Sequence, residues 1–183
     1  MLYKLAHIII NRLPWLWELI EWINDFAFSI RYHKHLIAVE DVASEKDSDA
    51  LVEFFKRQPD DSFLFFKPHS FDKKTITKLL KRRSMLMHVI YRDNIIVGYC
   101  FLRCFFIGKG YRGYIVDAGQ QKKGIGKELG VWLNHAAQKL NIRTFKSINN
   151  NNPASLHLAK STCKLKKVQE MTDGDIEYEC ILH

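Results

Sequence analysis

One stretch constrains the fold of this chain more than any other: "YIVDAGQQKKGIGKELGVWLNHAAQKL", residues 114–140. An apolar, β-prone run at 114–116 is followed by a loop with glycine at 119, 124 and 126, then by apolar residues at helical spacing up to Leu140. The order is strand, glycine-containing loop, helix. A helix start leaves its first N–H groups without backbone partners and carries the positive end of the helix dipole. Glycine at 124 and 126 lets an anion approach those groups, and Gln121, Lys122, Lys123 and Lys127 add hydrogen bonds and charge. A phosphate or pyrophosphate is the expected ligand. The competing reading is an ordinary basic helix start whose glycines serve close packing.

The rest of the chain sets this unit in a sheet. "HLIAVEDV", residues 35–42, reads as a short strand, and Ser48 or Asp49 then caps a helix carrying Leu51, Val52, Phe54 and Phe55 that stops at Pro59. A basic helix is predicted over 72–81. "MLMHVIYRDNIIVGYCFLRCFFI" gives two strands around an Asp93-Asn94 turn, followed by a strand over 113–117. After the helix over 124–140 come a strand at 142–148, a helix at 153–161, and two closing strands at 165–169 and 176–182 around "MTDGD". This order predicts an α/β (α+β) fold, a mixed and mostly antiparallel sheet flanked by helices. The expected division is an amphipathic helical appendage over residues 1–30 and one domain over 31–183.

That appendage, "MLYKLAHIIINRLPWLWELIEWINDFAF", holds three of the four tryptophans, yet Lys4, Arg12, Glu18, Glu21 and Asp25 interrupt it, so it does not read as a membrane-spanning helix. The apolar run at 8–10 is short and no small-residue cleavage site follows, so no signal peptide is predicted and the location expected is cytoplasmic. Pro14 begins a helix in which Trp15, Leu19, Trp22 and Phe26 share one side, with Glu18, Glu21 and Asp25 away from it. Two readings stay open. The helix packs on its own domain or on a second copy as a homodimer, or it lies in the headgroup plane at the inner face of a membrane. The acidic residues weigh against the membrane.

A formal net charge of +8 favours anionic partners. A basic nucleic-acid-binding module is the rival class, but the lysines are spread through several elements and no helix-turn-helix, zinc-finger or aromatic RNA-binding pattern is present, so no nucleic-acid partner is expected. Cys100, Cys104, Cys163 and Cys180 have no metal-ligand spacing and read as reduced packing thiols, with no metal expected. "GKGYRG" spells G-x-G-x-x-G but lies between strands and opens no helix, which makes it a hairpin turn. In "GQQKKGIGK", Ile125 stands where a nucleoside-triphosphate-binding loop needs lysine.

The run Gln121-Lys122-Lys123-Gly124-Ile125-Gly126 resembles the Q/R-x-x-G-x-G/A motif of the GNAT N-acetyltransferase family. "YIVDA" looks like the strand before that motif, "KELGVWLNHAAQKLNI" like the helix after it, and "FKSINNNNPASLHLAKS" like the family's next strand and asparagine-led helix. The resemblance implies an acetyl-CoA-dependent acyltransferase whose sheet splays open between the strands at 113–117 and 142–148. Backbone groups near Val116 and Ala118 would pair with the pantetheine arm, the amides of residues 122–127 would hold the pyrophosphate, and Asn152 would touch the cofactor while capping its helix. Where many members carry a tyrosine that protonates the leaving thiolate, this chain has Ala159. That leaves the task to another group, or the activity altered. His69, on the "FFKPHSFD" loop, and Asp117, just past the strand, are the candidate proton acceptors. His88, Tyr91 and His157 read as packing residues. "PHSFD" and the strands behind it are similar to acetyltransferases of amino sugars in bacterial surface-glycan pathways, which implies a small amine acceptor such as a nucleotide-linked amino sugar.

Overall fold

The computed structural model describes residues 13–171 and 174–182; the expectations placed on residues 1–12 and on part of the "MTDGD" turn lie outside them. Helix α1 (Pro14–Arg31) begins at its proline, whose fixed φ suits a first helical turn. A single turn, α2 (His33–Leu36), follows. The strand predicted at 35–42 does not form. His35 and Leu36 close α2, and Asp41 sits in the left-handed region (φ 56°), which breaks an extended run. What remains is one backbone bond alongside the sheet, Ala43 N–H to Met87 O at 2.7 Å.

A capping box between Ser44 and Asp47 starts a 3₁₀ turn, Glu45–Asp47, that leads directly into α3 (Ser48–Lys56), so the cap falls ahead of the predicted Ser48. Helix α4 (Lys73–Leu80) is capped by Asp72, whose side chain accepts from Thr75 N–H at 2.9 Å. Strands β1 (Met85–Arg92) and β2 (Ile95–Phe105) meet at Asp93 and Asn94, both with positive φ (51° and 62°), as a two-residue hairpin turn of the primed class requires. Strand β3 (Lys109–Val116) starts earlier than predicted, because the glycine of positive φ at 108 turns the chain at once. Then come α5 (Ile125–Leu140), β4 (Arg143–Asn149), α6 (Pro153–Lys160), β5 (Lys164–Glu170) and β6 (Asp175–Ile181).

The six strands form one sheet in the order β1-β2-β3-β4-β6-β5, antiparallel except for the parallel β3–β4 pair. Helix α5 covers one face, where Leu129, Leu133 and Leu140 pack against Val97, Cys100 and Leu102. Helices α3 and α4 cover the other, where Leu51, Phe54 and Ile76 meet Met87, Ile96 and Tyr99. All four cysteines are buried free thiols, and burial pushes those of Cys100 and Cys104 well up.

Helix α1 is mounted in the reverse of the usual sense. Its acidic side faces the domain: Glu21 pairs with Arg82 (2.6 Å) and Arg103, Glu18 with Lys78 and Arg82, and Asp25 accepts from both N–H and Oγ of Ser84 at 2.7 Å each. Asn24 clasps the β2–β3 turn through Cys104 O and Phe106 N–H. Only Phe28, followed by Tyr32, reaches the core. The acids set against a membrane role by their position in the sequence therefore point inward, and the Trp15–Leu19–Trp22–Phe26 stripe points out.

Candidate functional site

Strands β3 and β4 pair over residues 109–111 and 143–145 only, and then part. Asp117 N–H donates to Val97 O, so by the alternation of an antiparallel ladder the odd residues of β3 address β2. The even ones, Arg112, Tyr114 and Val116, turn their N–H and C=O toward the gap that β4 has left. A cleft of about 1400 Å³ runs through this opening. Its walls take in the starts of α5 and α6, with Gln121, Lys122, Gly126, Lys127, Asn152 and Leu158, and the 61–68 loop with Asp61, Ser62 and Phe66, together with Phe101, Tyr111 and Asp175.

The start of α5 is built to leave its amides open. Gly124 is the N-cap in the left-handed conformation (φ 86°), no side chain caps the helix, and a Cβ on Gly124 would meet nothing within 4 Å. Lys127 and Glu128 N–H bond back to Gly124 O, which leaves the amides of Ile125 and Gly126 without intrahelical acceptors. Gly126 has a different reason for its bareness: a Cβ there would lie 2.5 Å from Leu158 Cδ2, so α5 and α6 can approach only at a glycine. Of the predicted cofactor-binding residues, Val116, Gln121, Lys122, Gly124, Ile125, Gly126, Lys127 and Asn152 line the cleft. Lys123 turns to Gln120 Oε1 (2.8 Å), and the Ala118 N–H is bonded to Gln58 Oε1 (3.0 Å). Asn152 Oδ1 accepts from Ser155 N–H at 3.0 Å, so its capping role coexists with a place on the cleft wall.

The predicted proton acceptors are both engaged. Asp117 accepts from Arg57 Nε (2.9 Å), Gln58 Nε2 (3.1 Å) and Gly119 N–H (3.0 Å). Burial works against its charge, but these donors outweigh it and hold the carboxyl below its ordinary value. His69 lies behind the cleft wall among Phe55, Phe71, Tyr99 and Phe101. Its Nδ1 is 2.8 Å from Ser70 O, which calls for the Nδ1–H tautomer, and its Nε2 then accepts from the Tyr99 hydroxyl at 3.0 Å. Burial lowers its affinity for a proton.

Three residues not singled out from the sequence meet where the strands divide. Lys146 Nζ sits 3.4 Å above the centre of the Tyr114 ring, and Arg112 closes the group. Lys146 and Arg112 are 6% and 3% exposed, with no ion pair formed by either among the described residues. Arg112 Nη1 donates to Asn134 Oδ1 (2.6 Å), while its Nε and Nη2 have no hydrogen-bond partner among the described residues. The Tyr114 hydroxyl lies near Ser155 without closing a bond of good geometry, and burial raises its pKa. Burial, with the Arg112 charge second, pulls Lys146 down to about 7. The signal in the sequence was a lysine within "TFKSI", an otherwise strand-like run. Ala159, at the usual tyrosine position, is buried on α6 and has no proton to give.

A sequence model described as the acetyltransferase (GNAT) family matches residues 16–163, a span that begins inside α1. No curated protein matches the chain. Among solved structures, it is similar to the GNAT domain of S. lividans PAT (TM-score 0.66, 12% identity, 75% of this chain and 86% of that one). It is also similar to the PaiA N-acetyltransferase of Thermoplasma acidophilum in complex with coenzyme A (0.64, 15%, 76% and 95%). A third is YncA, a putative acetyltransferase from Salmonella typhimurium with acetyl-CoA (0.62, 18%, 77% and 91%).

Proposed function

This chain belongs to the acetyltransferase (GNAT) family, and from that premise we propose that it moves an acetyl group from acetyl-CoA to the amine of a small sugar-like acceptor, with Lys146 returning the proton to the departing thiolate. The observation that carries the reading is the parted β3–β4 pair, whose vacant strand edge and open helix start line one cleft through the sheet. An extended amide-bearing arm fits that edge, and a diphosphate fits the Ile125 and Gly126 amides with Lys122 and Lys127 beside them. The acceptor would enter beside the 61–68 loop. Phe66 and Tyr111 there suit the apolar face of a sugar ring, and Asp61, Ser62 and Asp175 suit its hydroxyls.

In the reaction the amine nitrogen attacks the thioester carbonyl, a C–N bond replaces the C–S bond, the amine loses a proton and the thiolate gains one. His69 Nε2 is engaged by the Tyr99 hydroxyl and the donors around Asp117 hold its carboxyl below its ordinary value, so the amine sheds its proton to water or arrives neutral. A basic cleft favours the neutral amine. Lys146, poised near working pH, has the acidity that proton return to a thiolate needs.

The reading is tested by a thiol-release assay with acetyl-CoA over free and nucleotide-linked amino sugars, spermidine and peptides. Turnover confined to the sugars is expected; turnover only with peptides or polyamines would overturn the acceptor, and no thermal protection by coenzyme A would overturn the whole assignment. Charge reversal in Lys122→Glu/Lys127→Glu should weaken coenzyme A binding roughly 100-fold by calorimetry and flatten its salt dependence. An unchanged affinity would move the diphosphate elsewhere.

A further inference from the structure

The outward stripe of α1 is the largest feature that the acetyl-transfer reading leaves unused. Trp15 is 65% exposed, Trp22 63%, Phe26 56% and Ile30 62%, with Leu19 and Ile23 between them. Trp22 and Phe26, one helical turn apart, stack at 5.8 Å and present a single aromatic plate. This display is enforced from behind. To turn the stripe inward, the helix would have to break the Glu21 pairs with Arg82 and Arg103 and the Asp25 bonds to Ser84, and it would expose Phe28. Burying so many apolar side chains against the domain was open to this sequence, and the ion pairs select the other face.

The border of the stripe indicates what it meets. A groove between α1 and α4 is walled on one side by Glu18, Trp22 and Asp25 and on the other by Lys73, Lys74, Lys78 and Lys81; Glu18 is paired with Lys78 and Arg82 and Asp25 is bonded to Ser84, so aromatic and cationic groups share a face on which both carboxylates are already engaged. Lys74 and Arg83 are exposed and form no salt bridge among the described residues; Lys73, Lys78 and Lys81 pair only with carboxylates that are themselves exposed, where solvent screens the pairing. An indole stripe beside a lysine row has the two chemistries of a bilayer surface, an apolar boundary and anionic headgroups. No helix among the described residues is long and apolar enough to cross a membrane, so the contact is in-plane.

We infer that α1 and the lysine row of α4 dock this enzyme on an anionic lipid surface, with the α1 stripe lying in the headgroup boundary. A second copy is the weaker occupant: a chain with a formal net charge of +8 repels itself, while an anionic leaflet attracts it. The inference is independent of the acetyl-transfer reading, since the stripe and the cleft share no residue.

The test is co-sedimentation of the full chain with vesicles of phosphatidylcholine alone or mixed equally with phosphatidylglycerol. Binding to the mixed vesicles that falls at least tenfold, roughly, in Trp15→Ala/Trp22→Ala/Phe26→Ala and in Lys74→Glu/Lys81→Glu supports docking, as does release of the lysine-dependent part by salt. Thiol release with a soluble acceptor should be unchanged in both variants, which confirms that they fold. No vesicle binding by the unaltered chain overturns the inference. So does a stable dimer by light scattering that the aromatic substitutions dissociate, because the stripe would then be covered by another copy.

Discussion

Lys146→Met should lower kcat by about two orders of magnitude, the range that a positioned proton donor supplies, with little change in coenzyme A affinity. The same variant should be more stable than the parent. The sign follows from the displaced pKa: the native lysine releases its proton near pH 7, whereas the unfolded one keeps it up to about 10.5. Between those values the unfolded chain holds the extra proton, so parent stability rises with pH; below about 7 the native state carries a buried cation at full cost. Methionine removes that cost, so its gain in melting temperature should be larger at pH 6 than at pH 9. The groups facing Lys146 are Arg112 and Tyr114 from β3, Cys180 from β6 and Cys163 after α6, and none supplies a carboxylate. The parent kcat should fall above pH 7 as the lysine loses its proton, and the methionine variant should lose that falling limb. Lys146→Arg distinguishes charge from proton transfer: it keeps a cation that does not ionise, so it should show none of the methionine variant's gain in melting temperature and should not restore turnover. Full activity in either variant would remove Lys146 from the chemistry.

Gly126→Val should cut coenzyme A affinity between about 10- and 100-fold and lower stability by about 1–3 kcal/mol, as overpacking does. The new Cβ would lie 2.5 Å from Leu158 Cδ2, so the leucine must swing aside or the two helices must separate. Leu158 lines the cleft, and either movement reshapes the mouth through which the cofactor arm passes. Adding Leu158→Ala should restore both folding and binding, because it returns the volume that valine takes. Calorimetry and thermal melts on the single and double variants check this. Normal affinity in the single variant would mean that the approach of α5 to α6 does not shape the mouth.

These two positions also show how far the sequence could be read. The strand, glycine loop and helix around residues 114–140 were legible because glycine spacing, lysines and apolar periodicity agree there, and the Asp93-Asn94 turn was legible for its chemistry alone. At Gly126 both anion approach and close packing were open as reasons for bareness, but the packing partner, Leu158, is brought in by a crossing visible only in three dimensions. Lys146 was passed over because a lone lysine in a strand ordinarily faces water, and it takes Tyr114 and Arg112 on β3, Cys180 on β6 and Cys163 after α6 to surround it. The 35–42 strand failed on the left-handed Asp41, which local apolar pattern cannot anticipate. The side of α1 that faces the domain stayed open in the sequence for a related reason. Apolar periodicity assumes that oil turns inward, and here Arg82, Arg103 and Ser84, all distant in sequence, give the acidic side the stronger claim.

The three-residue seam between β3 and β4 has a mechanical consequence. Strands β1 to β3 and strands β4 to β6 are two plates riveted along a short margin, with a gap opening beyond it. A molecule threaded into that gap would be splint as well as reagent, so the empty protein should creak along one line, and that line is where acetyl groups would change hands.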